Sequence, residues 1–449
     1  MNRPPFTLAR HTASILATQG LVFALQLLAL WLVAVGWGEA GTGAFGVVTT
    51  VQVVFQGVFS LGVAYANTCF AARDPSRRDE LHTTTVVVTL AVSAVVVPGL
   101  ILGRHWLSAR VLRNVEPDWL LTVAVSFPFA LYAALITALW VGEERIGRLN
   151  KLEFLRAAVF LAGVLTVFGL APGSVSLALW AWAGSFIASG FAAASVLWGW
   201  DRVGWAWRPR GFVEALRFSL IAYLGDIASN LHQWFGLFVV NYYLKGAAVG
   251  AYYLALRIAS YFWVLASAVR RAGARRVIGS DPAPSWDLVA AMTRVTLWAL
   301  LLPTVAVILS APWVVPAVFR GFAGSVRPLQ LLLPACVLVS CAIVLGYYVI
   351  GNRERPGVVT AIAWVGLGTN VVLSFLLVRP LGVTGVGLAT GVSYSLSFLL
   401  LLPVFRRWGH RLSDLFIPSR EDLAYFQALG RHLRAFFGPR GSDAEQGPS

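Results

Sequence analysis

The sequence predicts an all-α integral membrane protein with about twelve transmembrane helices. Of its 449 residues, 58% are hydrophobic and only 12% are charged, and the mean hydropathy is +0.73. Apolar runs of about 20 residues recur along the whole chain, and each is long enough to cross a bilayer core of roughly 30 Å as a helix. This composition and spacing are typical of a multi-pass membrane protein and not of a soluble domain.

Twelve apolar segments predict the spans, and they fall into two sets of six. The predicted spans are 13–35, 44–67, 83–103, 118–141, 153–171, 174–199, 215–241, 247–270, 287–311, 327–350, 357–378 and 382–405. The chain therefore divides into four predicted units. These are an N-terminal six-helix lobe (1–199), a basic cytoplasmic linker (200–214), a C-terminal six-helix lobe (215–405) and a cytoplasmic tail (406–449).

The positive charge of the chain predicts its orientation in the membrane. A formal net charge of +15 would suit a nucleic-acid-binding protein, but the basic residues are concentrated in alternate loops. With the N-terminus inside, 25 of the 35 Lys and Arg residues fall in cytoplasmic loops and the tail, and 7 fall in outer loops. Because Lys and Arg accumulate in the cytoplasmic loops of membrane proteins, we expect both termini in the cytoplasm and no nucleic-acid partner.

Cysteine and histidine usage gives no sign of a metal centre. The three cysteines, Cys69, Cys336 and Cys341, lie in or at the end of apolar segments, and the six histidines have no metal-ligand spacing. The pattern therefore predicts no disulfide framework, no metal site and no cofactor.

The tail begins with a helix-capping signal. Pro418-Ser419 followed by Asp422 predicts a capping box, in which the two side chains satisfy each other's backbone N–H groups. Apolar residues then recur on one side of a basic amphipathic helix, at Leu423, Phe426, Leu433 and Phe436. Such a helix is expected to lie on the inner membrane surface.

A weak internal repeat relates the two halves. At an offset of 207 residues, Arg10 matches Arg217, Gln26 matches Gln233, and Gly43-Ala44-Phe45 matches Gly250-Ala251-Tyr252. Each half has an even number of spans, so both halves enter the membrane from the same side. The repeat therefore predicts a pseudo-twofold axis along the membrane normal.

Polar side chains form stripes on the first, second and seventh spans, and spans nine to twelve are poorer in them. The stripes are Thr12, Gln19 and Gln26 on the first, Thr49, Gln52, Gln56 and Ser60 on the second, and Ser219, Asp226, Ser229, Asn230 and Gln233, with His232 at the edge, on the seventh. One interpretation is interhelical hydrogen bonds worth about 0.6 kcal/mol each. The other, which we favour, is a polar cavity lined by spans one, two, seven and eight.

Arg257 lies near the middle of the eighth span, where a charge facing lipid costs at least about 2.5–3.5 kcal/mol. Two interpretations stay open. Arg257 forms a structural ion pair with Asp226, or it binds an anionic substrate while Asp226 or His232 serves as the proton- or ion-coupling group.

Four other arginines lie in or beside the spans. Arg10 and Arg217 occupy matching positions at the inner mouths of spans one and seven, where each is either a topology anchor or a first contact for phosphate. Arg156 and Arg294 are expected to extend, or snorkel, to the cytoplasmic surface.

Three stretches resemble a known family. LKGAAVGAYYLALRIASYF resembles the G-x-x-x-x-G-x-Y-x-x-A-x-R element of the polysaccharide, O-antigen-type flippases of lipid-linked oligosaccharides. These belong to the multidrug/oligosaccharidyl-lipid/polysaccharide (MOP) exporter superfamily. GEAGTGAFGVVTTVQVVFQGVFSLGVAYA resembles the first-half counterpart of that element, and LGVTGVGLATGVSYSLSFLL resembles the glycine-rich opening of the last span. The likeness covers residues 5–408.

The resemblance implies two six-helix lobes around a central cavity lined by spans one, two, seven and eight. It also implies transport of undecaprenyl-pyrophosphate-linked oligosaccharide across the bacterial cytoplasmic membrane by alternating access, for cell-surface polysaccharide. Arg257 carries over as the family's arginine of the eighth span. The expected substrate-binding residues are Arg257, Asn230, Gln233, His232, Gln26, Gln52, Gln56, Arg10 and Arg217, and the expected ion-coupling residues are Asp226 and His232.

One position departs from the family. His232-Gln233 stands where family members often have an Asp-Arg or Asp-Lys pair, so the coupling ion is left open between H⁺ and Na⁺. Twelve spans favour the O-antigen or capsule type. The expected partners are the lipid-linked oligosaccharide, membrane lipid, and a glycan polymerase or glycosyltransferase.

Two alternatives remain. A drug/cation antiporter of the same superfamily would use a carboxylate in the cavity, and Asp226 is the clear mid-membrane candidate. A membrane glycosyltransferase or polymerase would need acidic catalytic residues or a large outer loop. The outer loops carry only scattered acids, at Glu39, Glu116 and Asp118, which argues against an enzyme.

Overall fold

The computed structural model describes residues 5–195, 204–263, 266, 282–419, 422 and 427, and in these ranges it is helical with no β-strand. The helices, in chain order, are α1 (Pro5–Phe59), α2 (Val63–Arg73), α3 (Arg78–Arg110), α4 (Leu120–Gly142), α5 (Ile146–Leu170), α6 (Val175–Ser195), α7 (Pro209–Tyr243), α8 (Gly246–Ser260), α9 (Pro282–Val318), α10 (Val326–Gly351) and α11 (Pro356–Arg407).

The two longest helices, α1 and α11, are each interrupted by a glycine. Gly38 has φ 65° and ψ −170°, and Gly382 has φ 58° and ψ −136°, which are conformations that a residue with a Cβ rarely adopts. In α11 the Thr390 hydroxyl donates to the Asn370 side chain at 3.4 Å. Residues this far apart would be separated by about 30 Å in a straight helix, so the chain reverses at Gly382.

The predicted spans correspond to these helices. Eight helices in the described ranges are long and apolar enough to cross a membrane, and two of them are α1 and α11 with their glycine interruptions. The polar α7 is also long enough, at about 52 Å for its 35 residues. This confirms an all-α multi-pass membrane protein. The second predicted span differs, because the chain leaves the helix at Leu61 and Gly62, which both have positive φ, and restarts as α2.

The helices form two groups. Helices α1–α6 pack mainly on one another, and so do α7, α9, α10 and α11, while α8 packs on this second group and most extensively on α1. The groups meet where α1 packs on α7 and α8, and where α2 packs on α7. Large apolar side chains, such as Leu102, Leu170 and Trp313, are exposed on the outer surface, as expected for a surface that lipid covers.

The backbones of the two groups approach each other closely between α1 and α8. A Cβ added to Gly43 would lie 2.7 Å from the backbone nitrogen of Gly250, and one added to Gly250 would overlap the Glu39 carbonyl. The two backbones therefore touch. Gly43 and Gly250 are the residues that the repeat matches, and equivalent residues face each other where a twofold axis passes between them.

The start of the tail is tied to α9. The backbone N–H of Ser419 donates to the Asp422 carboxylate at 2.7 Å and the Asp422 N–H donates to the Ser419 hydroxyl at 3.3 Å, which confirms the predicted capping box. Arg294 forms an ion pair with Asp422 at 2.7 Å. Arg294 therefore reaches the tail, which folds back on α9 and supplies a carboxylate. The rest of the predicted amphipathic helix, apart from residue 427, lies outside the described residues.

Candidate functional site

Arg257 lies on α8, which packs against α1 of the other group. Its guanidinium carbon is 5.6 Å from the centre of the Tyr261 ring, and its Nε atom has no hydrogen-bond partner in the described part of the chain. The Tyr261 ring in turn packs against Phe23 of α1, with 4.1 Å between ring centres. The arginine thus carries incompletely satisfied donors to the interface between the two groups of helices.

Asp226 does not form the predicted ion pair with Arg257. The helices α7 and α8 run antiparallel from the turn at Leu244 and Lys245. Counted from that turn at about 1.5 Å per residue, Asp226 lies about 27 Å away and Arg257 about 18 Å away, so the two differ in depth by roughly 9 Å. Asp226 is exposed and lies within electrostatic range of Tyr65 on α2.

Asp226 lies beside the contact between the two groups. On the same face of α7, Ser219 and Tyr223 approach Gly62, and Asn230 approaches Gly57 on α1. Asp226 lies between these contacts along the helix and remains exposed. Asn230 and Gln233 are half-buried on this face.

His232 points away from the polar face of α7 that carries Asp226. This corrects the prediction that His232 lies at the edge of that face. It follows Asn230 by two residues, about 200° around the helix, and is buried within the C-terminal group. A hydrogen bond of 2.7 Å joins His232 Nε2 to the Ser393 hydroxyl, and the Asn370 side chain donates to the His232 carbonyl at 3.0 Å.

His232 belongs to a polar network that the sequence analysis missed. The Asn370 side-chain oxygen accepts hydrogen bonds from Ser374 at 2.9 Å and Thr390 at 3.4 Å. Thr390 also bonds the Tyr252 hydroxyl at 3.1 Å. All of these residues are buried. The spacing of Asn370 with Ser374, and of Thr390 with Ser393, places polar side chains on one helix face and could have revealed this network in the sequence. The prediction that the eleventh and twelfth spans are poor in polar stripes was therefore wrong.

The glutamines of the second span have different surroundings. Gln52 is fully buried and accepts a hydrogen bond of 3.0 Å from Ser126 on α4, as the interhelical interpretation expects. Gln56 is half-buried and lines a cavity. Gln26 is half-buried on α1.

Of the two arginines predicted to contact phosphate at the inner mouths of the spans, the structure describes the side chain of Arg217 only. Arg217 is exposed and lines an open groove at the start of α7, together with Arg210 and Glu214. The side chain of Arg10 lies outside the described part of the chain.

The cavity that Gln56 lines, here called the N-terminal cavity, lies between α1, α4, α5 and α6. Its volume is about 170 Å³, and its polar lining residues are Gln56, Thr137, Glu153, Arg156 and Ser189. The side-chain amide of Gln19, on α1, donates a hydrogen bond to the Glu153 carboxylate. Polar groups from four helices therefore converge inside the N-terminal group.

Arg156 points into the protein, which corrects the prediction that it snorkels. Because α5 begins at Ile146, seven residues before the predicted span, Arg156 lies about 15 Å into the helix. Its guanidinium lies 5.1 Å from the centre of the Phe186 ring and is close enough to Arg257 for the two charges to repel. Arg156 and Arg257, one from each group of helices, lie within electrostatic range of each other, and they are called the central cationic site below.

Known proteins match this chain by structure alone. The chain matches no protein-family model and no curated protein sequence. The lipid II flippase MurJ, in an inward closed conformation, matches with a TM-score of 0.73 and 12% identity, covering 94% of this chain and 98% of that one.

Two further solved structures match over most of the chain. An outward-facing multidrug-resistance MATE family transporter of the MOP superfamily matches with a TM-score of 0.69 and 14% identity, over 91% of this chain and 98% of that one. A MOP superfamily transporter from Pyrococcus furiosus matches with a TM-score of 0.70 and 13% identity, over 91% of this chain and 96% of that one. At such identities the likeness shows a shared fold, which is that of the MOP superfamily transporters.

Proposed function

We propose that this MOP-type fold works as a flippase for a lipid-linked, undecaprenyl-pyrophosphate oligosaccharide. It moves this substrate across the bacterial cytoplasmic membrane by alternating access, with both termini in the cytoplasm. The observation that carries the proposal is the central cationic site. Arg257 offers an Nε atom that has no hydrogen-bond partner among the described residues, at the interface between two groups of helices and within electrostatic range of a second arginine from the other group.

The charge of a pyrophosphate suits this site. Guanidinium groups bind phosphate oxygens through paired N–H donors, and two cations facing each other are stabilised by an anion between them. The two groups of helices, which we assign to the lobes 1–199 and 215–405, would each contribute one arginine. The prenyl chain would stay in lipid outside the helices.

The remaining predicted residues fit lesser roles in this function. We assign Asn230, Gln233, Gln26, Gln56 and Gln52 to the first sugar, with Gln52 acting through its bond to Ser126. We assign Arg10 and Arg217 to first contact with the pyrophosphate at the inner surface. Asp226 and His232 remain candidates for coupling to H⁺ or Na⁺, His232 through its bond to Ser393. A glycan polymerase or glycosyltransferase would act before or after export.

The test is the loss of one positive charge. Arg257→Ala in cells that depend on this protein should abolish surface glycan while the amount of protein in the membrane stays unchanged. Arg320→Ala, at an exposed position beyond the end of α9, is the matched control and should export as the wild type does. Normal surface glycan in Arg257→Ala cells would refute the anion site.

A drug or cation antiporter is the second candidate. It is favoured by Glu153, a carboxylate that lines a cavity inside the helices, and by the similarity to MATE transporters. Cells that express the protein should then extrude cationic dyes, and Glu153→Gln should stop the efflux. Dye efflux that Arg257→Ala leaves intact would favour this candidate over the flippase.

A further inference from the structure

The segment 111–116, which joins α3 to α4, folds into a compact turn of the N-terminal group. Leu112 and Val115 are buried, and the backbone N–H of Val115 donates to the Leu112 carbonyl at 2.9 Å. The hydroxyl of Ser108, on α3, donates to the Val115 carbonyl. Buried side chains and local hydrogen bonds therefore anchor this turn to its own group of helices.

Asn114 in this segment contacts the other group of helices, at the end of α7. Its side-chain nitrogen donates to the Asn241 carbonyl at 2.9 Å and to the Leu244 carbonyl at 3.2 Å. It also lies 3.3 Å from the side-chain oxygen of Asn241, which is fully buried. The last carbonyls of a helix have no partner within the helix, so they need a donor from elsewhere. Asn114 therefore caps α7 from the N-terminal group.

Arg113 contacts the same end of α7. Its guanidinium donates to the Tyr242 hydroxyl at 2.8 Å, and the guanidinium carbon lies 3.9 Å from the centre of the Tyr242 ring. A cation is stabilised by an aromatic face and by the negative C-terminal end of a helix. Because Arg113 is exposed, water competes for its donors, and we expect it to contribute less than the half-buried Asn114.

These contacts join the two groups at the end of the helices where α7 turns into α8. This end is the outer side in the proposed orientation. Gly250, whose backbone touches Gly43 of α1, is the fifth residue of α8 and lies only about 6 Å from the start of that helix. A movement that opens the protein to the outer side must separate the two groups here. It must therefore break the hydrogen bonds of Asn114.

We infer that the segment 111–116, here called the outer clasp, holds the outer side closed and is released when the substrate leaves. This inference rests on the proposed function, because it assigns the outer closing step of alternating access to Asn114, with Arg113 in support. When the groups separate, water replaces Asn114 at the carbonyls of α7. Exchanging protein donors for water donors leaves only a small net difference in free energy, which suits a contact that opens in every transport cycle.

The test measures how often the outer side opens. Val249 is fully buried on α8 next to Gly43, so a cysteine in its place reacts with a hydrophilic maleimide only after the interface has opened. Val249→Cys is made in full-length protein whose three native cysteines are replaced by alanine, and this parent is placed in lipid nanodiscs. The labelling rate is then proportional to the fraction of protein that is open on the outer side.

Two substitutions of Asn114 separate its hydrogen bonds from its shape. Asn114→Ala should raise the labelling rate about tenfold, as expected when one or two hydrogen bonds that favour the closed conformation are lost. Asn114→Asp keeps the shape but places a carboxylate against carbonyl oxygens at the negative end of α7, so the rate should rise further. Glu116→Ala, an exposed position in the same segment, is the matched control and should label at the parent rate.

Three results would overturn the inference. They are labelling of Asn114→Ala at the parent rate, labelling of Asn114→Asp more slowly than Asn114→Ala, and labelling of Glu116→Ala as fast as Asn114→Ala. If Asn114→Ala does not fold, Tyr242→Phe replaces it, since this change removes only the hydroxyl that accepts from Arg113. The labelling rate should then rise about threefold, and an unchanged rate would refute the outer clasp.

The labelling assay needs no substrate, so the failure of this inference can be distinguished from the failure of the proposed function. If Asn114→Ala labels at the parent rate while Arg257→Ala abolishes surface glycan, the outer clasp is refuted and the proposed function stands. If Asn114→Ala labels faster than its parent while Arg257→Ala cells export glycan normally, the anion site of the proposed function is refuted and the outer clasp stands.

Discussion

The backbone contact between α1 and α8 predicts that one added methyl group changes the conformational equilibrium of the protein. In Gly43→Ala, the new Cβ would lie 2.7 Å from both the Gly246 carbonyl oxygen and the Gly250 nitrogen, and 3.0 Å from the Val249 Cβ. Backbone atoms of a helix cannot relieve a clash by rotating away, as a side chain can. The two helices must therefore separate by roughly 0.5 Å or more to restore normal van der Waals contact.

The energy of this separation follows from core overpacking. Extra methyl groups in well-packed interfaces cost about 1–3 kcal/mol. A change of that size in one of two conformations shifts their ratio by about 5- to 150-fold. Gly43→Ala should therefore depopulate the conformation in which α1 and α8 are in contact, and substrate export should fall accordingly.

A cross-linking assay reads this equilibrium directly. The Cβ position of Gly246 lies 3.3 Å from the Ala40 Cβ, close to the separation of about 3.5–4.5 Å that a disulfide requires. Ala40→Cys with Gly246→Cys, in a background without the native cysteines, should cross-link readily in the parent. Adding Gly43→Ala should lower the yield.

The control is another helical glycine. In Gly103→Ala, on α3, the new Cβ meets no atom of the described part of the chain within 4 Å, and the cross-linking yield should stay unchanged. If Gly43→Ala cross-links and exports as efficiently as its parent, the contact between the backbones does not control the conformational equilibrium.

Two further predictions concern stability, measured by thermal unfolding in detergent. In Asp422→Asn, Arg294 loses the carboxylate of a buried pair, and we expect a loss of about 3–5 kcal/mol at neutral pH. Burial raises the pKa of Asp422, but the Arg294 and Ser419 hydrogen bonds outweigh it and the pKa is lowered. The stabilisation is therefore present above the pKa that Asp422 has in the unfolded state, and it is lost as the pH falls through the pKa that Asp422 has in the native state. The difference in stability between the wild type and Asp422→Asn should therefore vanish in acid. A difference that does not change with pH would contradict this. In Gly382→Ala, the new Cβ meets no atom of the described residues within 4 Å, so the positive φ alone should destabilise the turn by about 1–3 kcal/mol. Gly357→Ala is the control, and a melting temperature of Gly382→Ala equal to that of the wild type would contradict the strain.

The fold was largely predictable, because membrane spans are encoded locally. Each apolar run is long enough to satisfy its own backbone hydrogen bonds in lipid, so hydropathy locates it without knowledge of its neighbours. The break at Leu61 and Gly62 was not predicted, since the apolar character of the run continues through it. The capping box of Ser419 and Asp422 was predicted because it is also local.

The candidate site was predicted only in part. Arg257 stands out because an arginine in a long apolar run needs an explanation. Arg156 does not stand out, since it lies near the end of its apolar run and only the true start of α5 places it deep in the helix. His232 was assigned to the wrong face, because two residues of sequence turn a helix by more than half a revolution.

The hydropathy of the sequence was enough to show that this protein crosses the membrane many times, and the sequence further predicts two related halves with Arg257 at mid-membrane depth. These properties follow from the length, hydropathy and charge of successive segments of the sequence. Which polar groups meet depends on how the helices pack. The packing separates Asp226 from Arg257, places His232 against Ser393, and leaves Arg156 within electrostatic range of Arg257. The physical reason is that partners across helices depend on relative depth, rotation and packing, which no single helix encodes.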